Sequence, residues 1–392
     1  MNLAQSVIDR ENKYEALTYD RYPVVFTHGD GHKLYDTYGK EYVDLYGGHC
    51  VSILGHTPET VRLAIYEQAG KLFFYSNVAY SPVRADAAEL LIGMAPDGFD
   101  RVFFCNSGTE ANENAIKLAW KTTGKTRLVS TKGGWHGRTL ASLSITDDPK
   151  ITDPVAFALV ACERVPFGDA AALEASLLAH DDVAAFILEP IQSIAGMVEA
   201  PESYYREIRE ICNRHGVMLI FDEIQTGVGR TGKFSVSEWY GMKPDLITLA
   251  KSLASGMPIG AVLMPESVAS TLKSGDLGST FAGGPVVVAA CKATLQYMAD
   301  YKLMDHASDI YKILYKSFED SDVEVLGRGA LIGLKLPVPY KEVKSELFSR
   351  GWLTGGSSKP NVMRLMPPLV TPLDEFVRFA SDLKQILSEK QL

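Results

Sequence analysis

The sequence has few cysteines, and they are far apart. Five occur in 392 residues and none forms a CxxC pair; they are Cys50, Cys105, Cys162, Cys212 and Cys291. This number and spacing argue against a disulfide framework and a zinc knuckle. They favour small buried thiols in a reducing compartment. No other group of residues has the spacing of a metal site, so we expect none.

Long apolar runs and blocks of like charge are also missing. No stretch approaches the roughly 20 apolar residues of a membrane span, and residues 1–20 lack the apolar core of a secretory signal. We therefore expect a cytoplasmic protein that is not bound to membranes. The formal net charge of −9 argues against nucleic acid as a partner. The chain is long enough for about two domains.

The middle of the chain alternates short apolar segments with helical patterns. Helix-like segments such as 111–121 and 201–214 lie between apolar, β-branched runs at 101–107, 126–131, 183–190, 216–223, 245–251 and 260–265. This alternation predicts a large α/β domain whose mostly parallel sheet is covered by helices on both faces. Ligands of such sheets bind beyond the carboxyl ends of the strands, so the polar residues that end these runs are candidate site residues.

The two ends of the chain have a different pattern. Residues 1–45 contain short strands joined by Gly-Asp-Gly and Tyr-Gly-Lys turns, and residues 285–392 mix strands with helices. We predict that both ends form one smaller α+β domain beside a large domain of residues 46–284. The glycine-rich segment 274–285 is the predicted hinge.

One candidate anion site follows the run at 101–107. Ser107 or Thr109 can cap the next helix, and the free N–H groups at a helix start suit a phosphate. Gly108 would let the backbone approach such a ligand closely. A plain capped helix also explains this segment.

Two charged residues end neighbouring apolar runs. Asp222 can keep a pyridine nitrogen protonated or cap the next turn, and Gln225 is near enough in sequence to reach the same ligand. Lys251 has small and apolar neighbours, and such surroundings make a lysine a nucleophile for carbonyl groups. A strand-end lysine that reaches solvent is the alternative.

Three further residues and one glycine motif complete the candidates. Trp135 can stack on a planar ring and Arg138 can bind a carboxylate, or both belong to a surface loop. Arg364, inside an apolar run, requires an internal or bound anion as partner. Residues 227–232 spell GxGxxG, but no helix-forming run follows directly, so they match a dinucleotide site weakly.

Taken in order, seven segments strongly resemble the class III (fold type I) aminotransferases, which depend on pyridoxal 5'-phosphate (PLP). They are NSGTEANE, WHGRT, EPIQ, DEIQTGVGRTG, ITLAKS, GSTFAGGP and NVMRLMPPL. The resemblance covers nearly the whole chain. Within that family, DLYGGHCVSILGH and FYSN look most like acetylornithine and succinylornithine aminotransferases.

The resemblance implies roles around the cofactor ring. Lys251 would form the Schiff base with PLP and later move the proton. Asp222 would pair with the pyridinium nitrogen, and Gln225 would approach the 3′ oxygen. Trp135 would stack on the ring, where the family more often has Phe or Tyr, and Glu189 would lie near the cofactor.

The resemblance also implies that two subunits share the phosphate site. Ser107, Gly108 and Thr109 would lie at the phosphate, joined by Thr280 of the partner subunit. The expected assembly is an obligate homodimer.

The same resemblance implies a ping-pong transfer of the δ-amino group of an N-acylornithine to 2-oxoglutarate. Arg138 would hold the α-carboxylate of the acylornithine and Arg364 that of 2-oxoglutarate or glutamate. His49 would touch the acyl end, or is a hydrogen-bonded histidine of the interior.

One position departs from the family pattern. Ile194 replaces a glutamate that pairs in many members with the arginine matched by Arg364. This departure keeps another ω-amino acid open as donor, such as 4-aminobutyrate, ornithine or an acyl-lysine. A dinucleotide-dependent oxidoreductase that uses residues 227–232 is the alternative from another class.

Overall fold

The centre of the fold is a seven-stranded sheet. The computed structural model describes residues 3–390, and the strands in spatial order are Arg101–Cys105, Gly260–Met264, Leu246–Leu249, Met218–Asp222, Val183–Leu188, Arg127–Thr131 and Cys162–Val165. Gly260–Met264 is antiparallel to both of its neighbours, and the other pairs are parallel. The prediction of an α/β fold with a mostly parallel sheet is therefore confirmed.

The inner strands of the sheet are mostly apolar because helices cover both faces. Ile220 packs in one cluster with Ala115, on the helix Gly108–Thr123. Its neighbour Phe221 packs in the other cluster with Ile208, on the helix Glu202–His215. Successive strand residues point to opposite faces, so the strand Met218–Asp222 contributes to both clusters.

The described residues form further α-helices in addition to these two. They are Leu3–Tyr14, Glu59–Lys71, Pro82–Met94, Leu140–Ser144, Pro149–Thr152, Ala170–Ala179, Glu266–Ala269, Pro285–Asp300, Leu303–Phe318, Tyr340–Ser349 and Leu373–Lys390. Short 3₁₀ turns occur at Asp153–Ala158, Val236–Glu238 and Lys251–Ala254, and a helical turn with left-handed residues at Gly47–Cys50. No helix within residues 3–390 has the length and apolar character needed to cross a membrane.

Strands from the two chain ends share a sheet. Phe26–Asp30, Lys33–Asp36 and Glu41–Asp44 form an antiparallel meander, and Trp352–Leu353 pairs in parallel with Glu41–Asp44. A second small sheet has the strand order Glu324–Arg328, Leu331–Lys335, Val362–Leu365 and Gly355–Gly356.

The predicted boundary at residue 285 coincides with the start of a helix. Pro285–Asp300 packs on Glu59–Lys71 and Pro82–Met94, both of which belong to the predicted large domain. Residues 1–2 and 391–392 of the predicted small domain lie outside the described residues. The division into domains stays a prediction.

The sheet topology brings three strand ends together. Arg101–Cys105, Met218–Asp222 and Leu246–Leu249 run in the same direction, so their carboxyl ends lie at one edge. The helix Gly108–Thr123 begins beside that edge. The fold therefore gathers residues that are more than 100 positions apart in sequence.

Candidate active site

A cavity of about 410 Å³ opens at this edge of the sheet. Its lining includes eight residues predicted from the sequence: Ser107, Gly108, Thr109, Trp135, Glu189, Asp222, Gln225 and Lys251. This volume is within the usual range for a small-molecule site.

Lys251 follows the strand Leu246–Leu249 and is half-buried in the cavity wall. Its φ of 42° is left-handed, which is uncommon outside glycine and turns the chain sharply out of the sheet. Burial lowers the pKa of Lys251, while Cys50, Asp222 and Glu189 act in the opposite direction. Burial therefore increases the fraction of neutral amine, the form that attacks carbonyl groups.

Asp222 is a buried carboxylate surrounded by N–H donors. Its Oδ2 accepts hydrogen bonds from Asn112 Nδ2 at 2.8 Å and His136 Nδ1 at 2.7 Å. Its Oδ1 accepts one from the backbone N–H of Ile224 at 3.1 Å. A carboxylate can only accept these bonds, so the proton of His136 lies on Nδ1. Three donors hold the carboxylate in one orientation.

The start of the helix Gly108–Thr123 lines the cavity beside Ile224. Ser107 caps this helix, with its Oγ accepting from the N–H of Glu110 at 3.3 Å. Thr109 Oγ1 lies 2.6 Å from Ser142 Oγ, which fixes the hydroxyl beside the first helical turn. The free N–H groups and positive dipole of this helix start favour an anion.

Trp135 and Glu189 lie on another wall of the cavity. The backbone N–H of Trp135 donates to Glu189 Oε1 at 2.8 Å. Burial raises the pKa of Glu189 to about 7, although His136 opposes the shift. Arg138 is exposed, does not line the cavity, and places its guanidinium 5.0 Å from the Trp135 ring centre.

Arg364 is a buried cation with neutral partners. Its Nη1 donates to Ser193 Oγ at 3.2 Å, its Nη2 to Tyr46 Oη at 3.0 Å, and its Nε to the carbonyl of Gly356. It forms no ion pair with an acidic side chain of residues 3–390. An anionic group placed beside it would therefore meet a positive charge that has no direct ion-pair partner.

His49 lies in the left-handed turn before Cys50, with a φ of 65°. Its Nδ1 is 3.0 Å from Tyr46 Oη, the hydroxyl that also binds Arg364. Partial burial lowers the pKa of His49, and the positive charges of Arg364 and Lys251 add to this effect. His49 and Arg364 do not line the 410 Å³ cavity. Their charges nevertheless interact with that of Lys251 in the cavity wall.

Thr280 is not brought to this cavity in its own chain. It is exposed and lines a separate surface cavity with Ser76 and Asn77. The adjacent Ser279 accepts a hydrogen bond from Asn106 Nδ2 at 2.8 Å, which anchors the segment near the helix start.

Four functional neighbours were not predicted individually from the sequence. Asn112 and Thr248 lie behind Asp222, and Tyr46 and Ser193 hold Arg364. A polar side chain on the apolar face of a predicted helix or strand is the available signal for Asn112 and Thr248. For Tyr46 and Ser193 the sequence offers no comparable signal.

The glycine motif at residues 227–232 does not form a dinucleotide site. The chain makes turns after the strand Met218–Asp222, and only the short 3₁₀ turn Val236–Glu238 follows. In addition, no group of three or more His, Cys, Asp or Glu residues able to hold a metal ion occurs in the described part of the chain.

The chain is similar to known aminotransferases over almost its entire length. The family model "Aminotransferase class-III" matches residues 14–387. The acetylornithine aminotransferase of Methanopyrus kandleri is 41% identical over 388 residues, covering 98% of both chains. That of Mycolicibacterium smegmatis is 39% identical, covering 96% of this chain and 97% of the relative.

Solved structures agree with this similarity. The ornithine aminotransferase of Toxoplasma gondii ME49 has a TM-score of 0.92 at 29% identity, covering 100% of this chain and 96% of that one. The ω-transaminase of Pseudomonas jessenii in complex with PMP has a TM-score of 0.90 at 26% identity, covering 97% of each chain. The chain therefore belongs to the class III aminotransferases.

Proposed function

We propose that this chain uses PLP to move the δ-amino group of an N-acylornithine, with an acetyl or succinyl group, to 2-oxoglutarate. Lys251 and Asp222 in one cavity are the observation that carries the proposal. Relatives named acetylornithine aminotransferase, 36 to 41% identical across nearly the whole chain, support the choice of donor. Such an activity would serve arginine biosynthesis.

The chemical groups that line the cavity fit PLP. Lys251 supplies an amine for the aldehyde, and Asp222 supplies a carboxylate for a pyridinium nitrogen. The helix start at Gly108 supplies N–H groups for a phosphate. Trp135 offers a ring surface for stacking, and Gln225 a polar group for the ring substituents. When bound, PLP supplies the electron sink that acidifies the C–H next to the transferred nitrogen.

Lys251 would carry the proton of this reaction. Its lowered pKa favours a neutral Nζ, which would take the proton from the carbon that bears the δ-amino group and deliver it to the carbon that had been the aldehyde of the cofactor. Asn112, His136 and the N–H of Ile224 would hold the Asp222 carboxylate in the orientation in which it faces the ring nitrogen.

Two arginines would hold the carboxylates of the substrates. Arg138 binds the α-carboxylate of the acylornithine and Arg364 that of 2-oxoglutarate or glutamate. Support for the second role comes from the neutral partners of Arg364, which leave its charge for an incoming anion. His49 would contact the acyl end, and the effect of the Arg364 and Lys251 charges on its pKa supports this role.

The active assembly we propose is a homodimer. Thr280 of the partner subunit would complete the phosphate site, since Thr280 is outside the cavity of its own chain. Exposed apolar side chains in the same region suit burial against a second copy: Leu72, Phe73, Phe74, Tyr75, Val78, Tyr80 and Phe281. A cytoplasmic location is part of this proposal.

The half-reaction tests the donor directly. PLP-loaded enzyme is mixed, without a keto acid, with N-acetylornithine, N-succinylornithine, ornithine or 4-aminobutyrate, and the visible absorbance is followed. We expect rapid loss of the visible band with one or both acylornithines. Loss of the visible band with ornithine or 4-aminobutyrate, but with neither acylornithine, would refute an acylornithine as the donor. The chain would still be an aminotransferase.

A second candidate donor is ornithine or another ω-amino acid. Arg364 without an acidic partner, with Ile194 at the position of the family glutamate, is the observation that favours it. The Toxoplasma gondii structural neighbour is also an ornithine aminotransferase. The same four donors distinguish the two candidates, because N-acetylornithine and N-succinylornithine carry an acyl group that ornithine and 4-aminobutyrate lack.

A further inference from the structure

Behind Asp222 lies a buried chain of polar side chains that does not line the cavity. Thr248 Oγ1 donates to Asn112 Oδ1 at 2.8 Å, and Asn112 Nδ2 donates to Asp222 Oδ2 at 2.8 Å. Thr248 is 0% exposed and Asn112 is 1% exposed. Neither can touch a ligand in the cavity, so any effect on chemistry must pass through Asp222.

The amide of Asn112 has a single favourable orientation. One N–H of Nδ2 points to Asp222, and Nδ2 also donates to the backbone carbonyl of His136 at 2.7 Å. Since both of these partners only accept, the amide oxygen must face the other way. There the hydroxyl of Thr248 donates to it. Every polar atom of the Asn112 side chain is therefore matched.

The sheet fixes the position of this chain of hydrogen bonds. Thr248 is the register partner of Asp222 in the neighbouring parallel strand, and it lies three residues before Lys251. The backbone N–H of Glu223 also donates to the carbonyl of Thr248 at 3.0 Å. The strand pair thus sets the distance between the Thr248 hydroxyl and the amide.

We propose that Asn112 and Thr248 are positioning residues for the reaction. Thr248 orients the amide of Asn112, and Asn112 orients Asp222 through Oδ2. Oδ1, whose one described protein donor is the N–H of Ile224, then stays available to the pyridinium nitrogen of the cofactor. This inference rests on the proposed use of PLP.

Loss of the Thr248 hydroxyl should affect the cofactor site indirectly, through Asn112 and Asp222. The amide oxygen of Asn112 would be left buried without a donor, and the amide could rotate to set that oxygen against Asp222. The carboxylate would then lose a donor and gain a repulsive neighbour. We expect weaker cofactor binding and slower proton removal, with little change in the binding of the amino donor.

The test compares Thr248→Val, which keeps the shape of the side chain, with Thr248→Ser, which keeps the hydroxyl. Thr294→Val is the matched control, because Thr294 is also 0% exposed but its hydroxyl donates to Ala290 within the helix Pro285–Asp300. Full-length protein freed of cofactor is titrated with PLP. The half-reaction rate constant and the apparent donor dissociation constant are then measured.

For Thr248→Val we expect the PLP dissociation constant to rise and the half-reaction rate constant to fall, each on the order of tenfold. The donor dissociation constant should stay unchanged. Thr248→Ser should restore both values, and Thr294→Val should match the wild type. The inference is overturned if Thr248→Val binds PLP and reacts as the wild type does. Equal losses in Thr248→Val and Thr294→Val would also overturn it.

Asn112→Asp gives a second signature if Thr248→Val folds poorly. The introduced carboxyl can donate to Asp222 only while protonated, so PLP affinity should fall as the pH rises, unlike that of the wild type. A pH profile identical to that of the wild type would contradict the inference. Failure of the wild type itself to bind PLP would instead refute the proposed function.

Discussion

Arg364 brings a positive charge into the interior, and no acidic side chain within residues 3–390 forms an ion pair with it. Its guanidinium binds Ser193, Tyr46 and the carbonyl of Gly356. The planar fork of an arginine can bind a carboxylate through two parallel N–H groups, and a lysine cannot. The charge at this position alone would therefore not maintain the affinity for a dicarboxylic keto acid.

We predict that Arg364→Lys raises the KM for 2-oxoglutarate by roughly tenfold or more, since charged bidentate hydrogen bonds are lost. Steady-state kinetics at a fixed donor concentration measure this value. Arg206→Lys is the control, because Arg206 is exposed and pairs with Glu202 on the surface. An unchanged KM in Arg364→Lys would exclude Arg364 from keto-acid binding.

Glu223 is a buried acid outside the cavity, and we expect it to affect stability instead of chemistry. Its carboxylate accepts from Thr226 Oγ1 at 2.9 Å, from the N–H of Val236 and from Ser235. Burial nevertheless raises the pKa of Glu223 from 4.5 to about 7. The folded state then binds this proton more tightly than the unfolded state does.

This raised pKa makes the free energy of unfolding depend on pH. The stabilisation by protonated Glu223 is complete below pH 4.5 and is lost as the pH rises through about 7. We predict that Glu223→Gln, although less stable overall, reduces this decline by on the order of 1–3 kcal/mol. Chemical unfolding at pH 5 and pH 7.5 measures it. The exposed Glu207→Gln should retain the full decline, and an equal decline in both variants would contradict the account.

Single residues differ in how far the sequence predicts them. Lys251 and Asp222 are predictable because each charged side chain ends an apolar strand, where parallel sheets bind ligands. Asn112 and Thr248 are not, since their pairing joins positions 136 residues apart. The role of Thr280 cannot be predicted from the residues of one chain, and only the resemblance to the family implies it.

The helix Gly108–Thr123 begins at the cavity, and its buried face packs in the core. Gly137 packs against its first turn, where an added Cβ would lie 2.4 Å from Thr109 Oγ1 and 2.5 Å from Ser142 Oγ. Gly124 ends the same helix with a φ of 68° and open space around it. The two glycines therefore differ in packing, although both have a positive φ.

We predict that Gly137→Ala weakens PLP binding by roughly tenfold, because Thr109 must move away from the phosphate end. Gly124→Ala should cost about 1 kcal/mol of folding free energy through its backbone strain and leave PLP binding intact. Titration of the cofactor-free protein and thermal unfolding separate the two effects. Wild-type PLP affinity in Gly137→Ala would show that this contact does not support the site.

The positions of the strands along the sequence were more predictable than the directions in which the strands pair. The six apolar runs all contain strands of the central sheet, because continuous burial leaves a simple apolar pattern. The strand Cys162–Val165 was not predicted, since its sequence CERV mixes charged and apolar residues at the sheet edge. The antiparallel direction of Gly260–Met264 depends on chain topology, which the local pattern does not encode.

At the scale of the molecule, an exposed apolar surface suggests where a second copy binds. Phe73 is 71% exposed, and the rings of Phe74 and Phe281 lie 5.3 Å apart beside it. Single exposed aromatic residues are common on monomers, but a group this close together is typical of an interface. The segment that carries Thr280 ends in the same surface.

We predict that Phe73→Asp shifts the protein from dimer to monomer and lowers transaminase activity at least tenfold, because a buried unpaired charge costs several kcal/mol. Light scattering after size-exclusion chromatography gives the mass. Phe157→Asp is the control, since Phe157 is 91% exposed on a separate turn. A monomeric wild type, or a fully active monomeric variant, would contradict a shared site.

If Lys251 binds PLP, chemical labelling will identify it. The PLP-loaded enzyme is reduced with borohydride, digested, and its peptides are sequenced by mass spectrometry. We predict a phosphopyridoxyl group on Lys251, in the segment that follows the strand Leu246–Leu249. A label on a different lysine, or no label in a protein that turns over substrate, would exclude Lys251 as the residue that binds PLP.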